Sequence, residues 1–358
     1  MIRKKDTVVV AMSGGIDSTL AAAMIKAQGY ETIGVSLRMF RGNETAPLSQ
    51  DPRQQGIEFA AEMARRIDIP HQIIDVHEEF NQHVVETFCR EYLSGRTPNP
   101  CIVCNEKIKL GILLSRARKM GASFLATGHY SQVFYDEHTG RYVLKKGADK
   151  EKDQSYFLFS LSQKQLQSVL FPLGGLTKTE VRQRAKGLGL TMLERTESQE
   201  ICFVPDNDYP LFIQARFPEL VKRGPVVSTS GELLGEHKGI FSFTIGQRKG
   251  LHIARGHPLY VVALDKETNT VIVGKKEEVY RTELIASKTN WITMASLEKP
   301  LLVKARIRYR NPEQHAHLIP LSNEKVKVVF LEPPLALTPG QAVVFYDGDM
   351  VVGGGWIE

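Results

Sequence analysis

Two groups of residues in this chain have types and spacings suited to chemistry, and they lie far apart. Near the amino end an apolar run, Val8–Val10, leads through Ala11 and Met12 into Ser13-Gly14-Gly15-Ile16-Asp17-Ser18. A glycine pair lets the backbone approach a phosphate closely, and the N–H groups that open a following helix point at it. Ser13 and Ser18 add hydroxyl donors. Asp17 has two uses open to it, orienting a backbone N–H or holding a magnesium ion. The lysine of G-x-x-x-x-G-K-[ST] is missing, so this is not a Walker A loop.

The second group is sulfur. Cys101 and Cys104 lie in Thr97-Pro98-Asn99-Pro100-Cys101-Ile102-Val103-Cys104-Asn105, and Cys202 follows Glu197-Ser198-Gln199-Glu200-Ile201. A helix opening near Asn105 would set its N-terminus beside Cys104. With Lys107 and Lys109 nearby, that would lower the thiol pKa and favour thiolate. The same spacing is half of a structural zinc site, which Cys202 and a histidine would have to complete, since no second C-x-x-C exists. Cys89 sits among Val85, Phe88 and Tyr92 and reads as a buried core thiol.

These groups need a frame, and the chain has room for one. Its 358 residues suit two or three domains, and 42% hydrophobic content can fill large cores. A net charge of +6 favours a polyanionic partner, which ATP alone would not require. Four cysteines in this length do not make a secreted disulfide scaffold, so the expected compartment is a reducing cytoplasm. No run of 18 apolar residues predicts a membrane span, and the apolar run behind the basic start is too short for a signal peptide.

The first 130 residues or so alternate strand and helix signals. Strands are expected at Thr7–Met12, Thr32–Leu37, Ile73–Val76 and Ser123–Thr127. Helices are expected at Thr19–Gln28, Gln55–Ile67, Phe80–Tyr92 and Ile108–Met120. That alternation implies a parallel sheet covered on both faces, with ligands beyond the carboxyl ends of the strands. The Gly14-Gly15 loop, Leu37 and Gly128-His129 all follow strand ends. Arg38–Gln50 reads as a polar, mobile loop. Leu161–Leu190 reads as helical, broken by Pro172 and Gly174-Gly175, with Thr177 and Glu180 forming a capping box. Beyond Pro205 the pattern shifts to short strands. A hairpin is expected around Asp265–Asn269, and period-2 strands at Leu302–Tyr309, Val326–Leu331, Ala342–Tyr346 and Met350–Val352 suggest a small β-barrel or sandwich.

Ser-Gly-Gly-x-Asp-Ser resembles the PP-loop of ATP pyrophosphatases, which cleave ATP between the α and β phosphates and adenylate a substrate oxygen. ATP cleavage beside reactive thiols suggests sulfur transfer. The stretches 11–18, 96–109, 126–130, 152–157, 197–205, 244–251 and 307–310 together resemble the bacterial tRNA-specific 2-thiouridylases, the MnmA/TrmU family, almost end to end. The resemblance implies an α/β chain of three parts. These are an N-terminal parallel-sheet PP-loop domain of the adenine nucleotide α-hydrolase-like kind with a helical extension (1–205), a small central domain (206–279) and a C-terminal antiparallel β-barrel that helps hold tRNA (280–358).

The resemblance further implies ATP-dependent 2-thiolation of the wobble uridine, with adenylation of O2 and then sulfur transfer from a persulfide. Cys202 matches the persulfide-bearing cysteine, and Cys104 matches the partner that closes a transient disulfide with it. ATP, with Mg2+, falls on Ala11, Met12, Ser13, Gly14, Gly15, Ile16, Asp17, Ser18, Leu37 and Gly128. Asn99, Pro100 and Cys101 face the target base. tRNA contacts fall on His129, Lys152, Asp153, Gln154, Arg308, Tyr309 and Gln341, and Arg310 also suits phosphate. The implied partners are lysine, glutamate and glutamine tRNAs and a persulfide donor such as a cysteine desulfurase or a sulfur-relay protein, with no membrane.

The physics agrees with this scheme. Uridine O2 is a poor leaving group until it departs as AMP, and the developing charge then needs donors. A second thiolate must take the other half of the disulfide, and the base must leave its stack. One departure stands out: the family commonly has Asp where this chain has Cys101. A third thiol opens a second mechanism, in which Cys101, Cys104 and Cys202 ligate a 4Fe-4S cluster whose fourth iron binds hydrosulfide. Other readings remain at this stage: another PP-loop enzyme acting on RNA or transferring an amide, or a nucleotide-gated RNA-binding protein without chemistry.

Overall fold

The computed structural model describes residues 6–40, 52–190, 201–251, 253, 256–321 and 324–358. Most of the expected Arg38–Gln50 loop, and residues 197–200 before Cys202, lie outside the described residues.

The first sheet is built from β1 (Thr7–Ala11), β2 (Glu31–Arg38), β3 (His71–Asp75), β4 (Phe124–Ala126) and, much later, β7 (Val169–Leu170). Its order is β3-β2-β1-β4-β7, every pairing parallel. Val8, Val9 and Val10 of the central strand are wholly buried, because a sheet covered on both faces needs a continuous apolar run. Successive residues serve opposite faces. Val8 and Val10 pack with Leu20, Ala21, Ala22 and Met63, from helices Ile16–Ala27 and Pro52–Arg66. Val9 packs with Val35, Ile102, Leu110 and Leu125 on the other face.

Two expected helices need correction. The Ile108–Met120 helix begins eight residues earlier, as three contiguous segments: Pro100–Val103, a π-helical Cys104–Ile112 and Leu113–Lys119. Within Leu161–Leu190 only Gln163–Leu166 and Lys178–Gly187 are α-helical. The stretch between them turns back to supply β7 to the sheet. The Thr177 capping box is present, with Thr177 N–H donating to Glu180 Oε2 at 2.7 Å.

A hairpin not expected from the sequence, β5 (Ser131–Asp136) and β6 (Arg141–Lys146), pairs outside the first sheet. A second sheet, ordered β10-β11-β8-β9, comprises β8 (Gly224–Ser228), β9 (Leu233–His237), β10 (Tyr260–Asp265) and β11 (Thr270–Gly274). It contains the expected hairpin around Asp265–Asn269. The last strands are β12 (Glu283–Trp291), β13 (Leu301–Arg306), β14 (Gln314–Pro320), β15 (Val326–Phe330), β16 (Ala342–Asp347) and β17 (Met350–Ile357). They run antiparallel in the order β12-β15-β14-β13-β16-β17, and pairing of β12 with β17 closes six strands into a barrel. Closure removes sheet edges, and the interior is filled by Val303, Ala305, Ala316, Leu318, Val328, Val343 and Phe345. The β5–β6 hairpin joins this sheet through Lys145 and Met350. Arg141 pins it by donating to the carbonyls of Ile292 at 2.9 Å and Trp291 at 3.0 Å. No helix among the described residues is long and apolar enough to cross a membrane.

Candidate functional site

The phosphate cradle forms where β1 runs into helix Ile16–Ala27. Gly15 is the N-cap, extended and without a side-chain cap bond, so the first-turn N–H groups meet no capping side chain. Gly14 has φ +80°, and a Cβ there would collide with the Gly56 carbonyl. Ser18 departs from its expected use. Its buried hydroxyl accepts from Ser13 N–H at 3.1 Å and donates to the Gly15 carbonyl at 3.0 Å, so it shapes the loop from within. Ser13 remains exposed. Ala11 and Met12 sit at the strand end, with the Met12 carbonyl accepting from Ser36 Oγ at 2.7 Å. Leu37 is the next-to-last residue of β2, two residues past the Ala11–Val35 pair. Gly128 lies against the helix start, where a Cβ would come within 2.9 Å of Ser18 N. Ala11–Ser18, Leu37 and Gly128 thus gather at the carboxyl ends of adjacent strands.

A Gly14→Ala variant is expected to lose about 1 kcal/mol or more of stability through left-handed strain, and pyrophosphate release from ATP should fall with it. Thermal unfolding and a pyrophosphate assay check both, and a variant matching the parent in both would contradict this geometry.

Asp17 is engaged in a way its sequence context did not suggest. Both of its oxygens accept from Lys178 Nζ at 2.8 Å, and Oδ1 also accepts from the Tyr130 hydroxyl at 2.7 Å. The Lys178 side chain is 8% exposed, and it brings a cation to the helix start from 161 residues away. A carboxylate held this way does not fit a magnesium ligand. No group of three or more His, Cys, Asp or Glu among the described residues is disposed to hold a metal. Neither Mg2+ on Asp17 nor a three-thiol iron site fits the residues as they stand.

The thiols meet on the other face of the sheet. Asn99 caps the helix, its Oδ1 accepting from Ile102 N–H, and Pro100 takes the first helical position. Cys104 therefore lies inside the helix, and the expected N-terminal lowering of its pKa does not occur. It is buried with Phe80, Phe88, Ile108 and Phe203, the residue next to Cys202, while Cys101 and Cys202 themselves are exposed. The Phe88 and Phe203 rings are 5.1 Å apart, edge to face. All four cysteines are free thiols.

Desolvation pushes each of the three site thiols up, and with the Cys104 and Cys101 thiolates adding to it Cys202 is raised to about 12. One positive charge opposes the rise at all three, the Lys109 ammonium. Lys109 also lowers His129, whose pKa burial takes down to about 3. His129 is thus neutral at physiological pH, with Nδ1 2.7 Å from Thr127 Oγ1. Since His129 directly follows Gly128, one ammonium influences both the thiols and the rim of the cradle. Cys89 is a core thiol as expected, wholly buried and raised to about 11 by desolvation.

The residues expected to touch tRNA divide into three kinds. Lys152 is half-buried and Arg310 exposed. Tyr309 is half-buried, with its ring 4.5 Å from that of Phe157. Asp153 is interior: its carboxylate accepts from Gly147 N–H, Ser155 N–H and Ser155 Oγ, with Arg306 at 3.7 Å. Gln154 Oε1 accepts from Tyr130 N–H at 3.0 Å. Arg308 reaches inward to the carbonyls of Ile245 and Ala336 and to Thr338 Oγ1. It ties the barrel to the segment between the second sheet's strands, which leaves fewer donors for phosphate. Gln341 bonds to Thr97 and Pro98 just ahead of the thiol helix.

The sequence places Lys109 near Cys104 as a charge that lowers its thiol pKa, the direction seen here, but gives no role to Lys178 or Tyr130. Nothing local marks Lys178 beyond its place after the Thr177 cap.

Three family models match successive parts of the chain. A family model described as a tRNA methyl transferase HUP domain matches residues 6–206. One described as a tRNA methyl transferase PRC-barrel domain matches 211–275, and an aminomethyltransferase beta-barrel domain matches 281–357. A tRNA-specific 2-thiouridylase MnmA of Halothermothrix orenii is 49% identical over 355 residues, 99% of both chains. The protein of that name from Syntrophotalea carbinolica is 48% identical over the full length of both. An MnmA 1 of Caldanaerobacter subterraneus is 49% identical, covering 98% of this chain and 97% of that one. With end-to-end likeness at this level, the chain belongs to the family of the tRNA-specific 2-thiouridylases.

Proposed function

We propose that this protein is a cytoplasmic tRNA-uridine 2-sulfurtransferase that adenylates O2 of the wobble uridine with ATP and replaces it with sulfur. The supporting observation is that a glycine-lined phosphate cradle at the strand ends and a helix carrying Cys101 and Cys104 pack on one parallel sheet, with Cys104 in the same cluster as Phe203 next to Cys202. On this reading the two chemistries, about 90 residues apart in sequence, act on one base.

The steps balance as follows. Uridine O2 attacks the α-phosphorus of ATP, and pyrophosphate leaves. The Cys202 persulfide attacks C2, AMP leaves, and Cys202 is joined to the base through two sulfurs. The Cys104 thiolate then attacks Cys202 Sγ, leaving sulfur on the uridine and a Cys104–Cys202 disulfide on the protein. External thiol reduces that disulfide. Magnesium is assigned no protein ligand here, because Asp17 is held by Lys178. Methyl transfer, which the domain descriptions mention, would need neither a phosphate cradle nor paired thiols.

The test is mass spectrometry of wobble uridine in tRNA incubated with the protein, ATP and a persulfide donor, alongside iron and sulfide analysis of anaerobically purified protein. Oxygen-to-sulfur exchange with iron-free protein supports the two-thiol route. Exchange only when iron and sulfide are bound would replace it with the cluster mechanism. Pyrophosphate release without any thiouridine would point to another PP-loop enzyme, and no release at all to a binding module.

A further inference from the structure

The segment entering the thiol helix is fastened to the opposite end of the chain. Thr97 N–H donates to the Pro339 carbonyl at 2.8 Å. Gln341 Nε2 donates to the carbonyls of Thr97 at 3.0 Å and Pro98 at 3.3 Å. Arg96 Nη2 donates to the Ile357 carbonyl at 3.1 Å, while Nε is held by Glu91 at 2.8 Å. The second sheet contributes as well, since Thr97 Oγ1 and Thr244 Oγ1 are 3.2 Å apart. Gly340 has φ +89° and lies so close that a Cβ would come within 3.0 Å of Thr97 N and O. Two residues after this anchor, Asn99 caps the helix and Pro100 fixes its first turn.

Such an anchor determines where the helix starts. Pro98 and Pro100 restrict the backbone on either side of Asn99, so little slack separates the anchored carbonyls from Cys101. Gln341 is also poorly placed as a phosphate ligand. Phosphate oxygens only accept hydrogen bonds, and both donated bonds of this amide go to protein carbonyls.

We propose that the 339–341 loop of the β-barrel is a positioning element for sulfur transfer, with Gln341 and Gly340 setting the helix of Cys101 and Cys104 through Thr97-Pro98. This rests on the sulfur-transfer reading above. Its chemical consequence follows from competition at the adenylated base. Once O2 carries AMP, either sulfur or water can attack C2. Water returns uridine and AMP, so ATP is consumed without thiolation. A helix displaced by even 1 Å slows the sulfur step and leaves the water step untouched.

The experiment compares Gln341→Ala, Gln341→Glu and Gly340→Ala with the parent full-length protein. The readouts are thiouridine formed per pyrophosphate released, KM for tRNA, thermal midpoint, and hydrogen exchange of the 99–104 amides. The ratio is expected to fall about tenfold, most in Gly340→Ala, with KM for tRNA little changed and faster exchange at 99–104. A raised KM with an unchanged ratio would assign Gln341 to RNA contact and overturn the proposal. So would a folded Gly340→Ala protein with parental ratio and exchange. Should the parent itself form no thiouridine, the sulfur-transfer reading fails, and the exchange data still decide whether the loop holds the helix.

Discussion

A Cys202→Ser protein is expected to incorporate no measurable sulfur, a loss of about a thousandfold or more, while still releasing pyrophosphate in the presence of tRNA. A hydroxyl cannot carry sulfane sulfur, but adenylation uses the cradle at Gly14 and Gly15, whose loop carries no thiol. Cys104→Ser should lose turnover as well and leave a different trace. Its persulfide can still attack C2 and expel AMP, yet no thiolate follows to cleave the linkage. The prediction is a covalent RNA–protein adduct through Cys202, visible on a denaturing gel and released by dithiothreitol. Cys202→Ser should give none. The burial of Cys104 beside Phe88 and Phe203 suits this division, because the second thiol must reach Cys202 Sγ and meet little competing water. Cys101→Ser should cost far less than either. Equal loss in all three variants, with no adduct from Cys104→Ser, would count against the two-thiol order.

Much of the frame was legible in the chain. The Val8–Val10 run, the glycine pair and the alanine-rich segment after it have few arrangements other than a buried parallel strand feeding a helix. The Thr177 and Glu180 box marked its helix because capping is local chemistry. The thiol helix was misjudged at its start although the signal was present, since Asn99-Pro100 is an N-cap followed by proline at the first helical position. What lay out of reach is non-local. The β5–β6 hairpin alternates plausibly, but its partner strand is some 200 residues on, at Met350. Asp17 looked like a free carboxylate because Lys178 gives no local sign of approaching it. The resemblance implies RNA contacts at Asp153 and Arg308, and no short window shows the protein partners that both also take in the fold. Pattern reading recovers elements and motifs; the pairing of distant polar groups depends on packing that no short window contains.

The π-helical turn is another such feature, and it supports the second large prediction. Cys104 and Lys109 are five residues apart. In an α-helix that spacing turns about 140°, whereas the wider π turn brings i and i+5 toward one side. Gln165 Nε2 donates to the carbonyls of Glu106 at 3.0 Å and Leu110 at 2.9 Å, bracing the segment. Lys109→Met is therefore expected to slow sulfur transfer about threefold and shift its pH dependence upward. The ammonium lowers each thiol pKa, so its removal raises them. Below the pKa each unit of rise costs tenfold in thiolate and returns roughly threefold in nucleophilicity, a loss borne by the Cys104 thiol that must ionise to cleave the Cys202 linkage. His129 would rise from about 3 yet stay neutral near pH 7, so it should not mask the effect. Lys109→Arg retains the charge and should remain near the parent. Alkylation of Cys101 and Cys202 across pH provides the direct measurement, with the Met variant's curve displaced to higher pH and the Arg variant's not. Coincident curves for parent and Met variant, in proteins of equal thermal midpoint, would show that the ammonium does not support the sulfur anions.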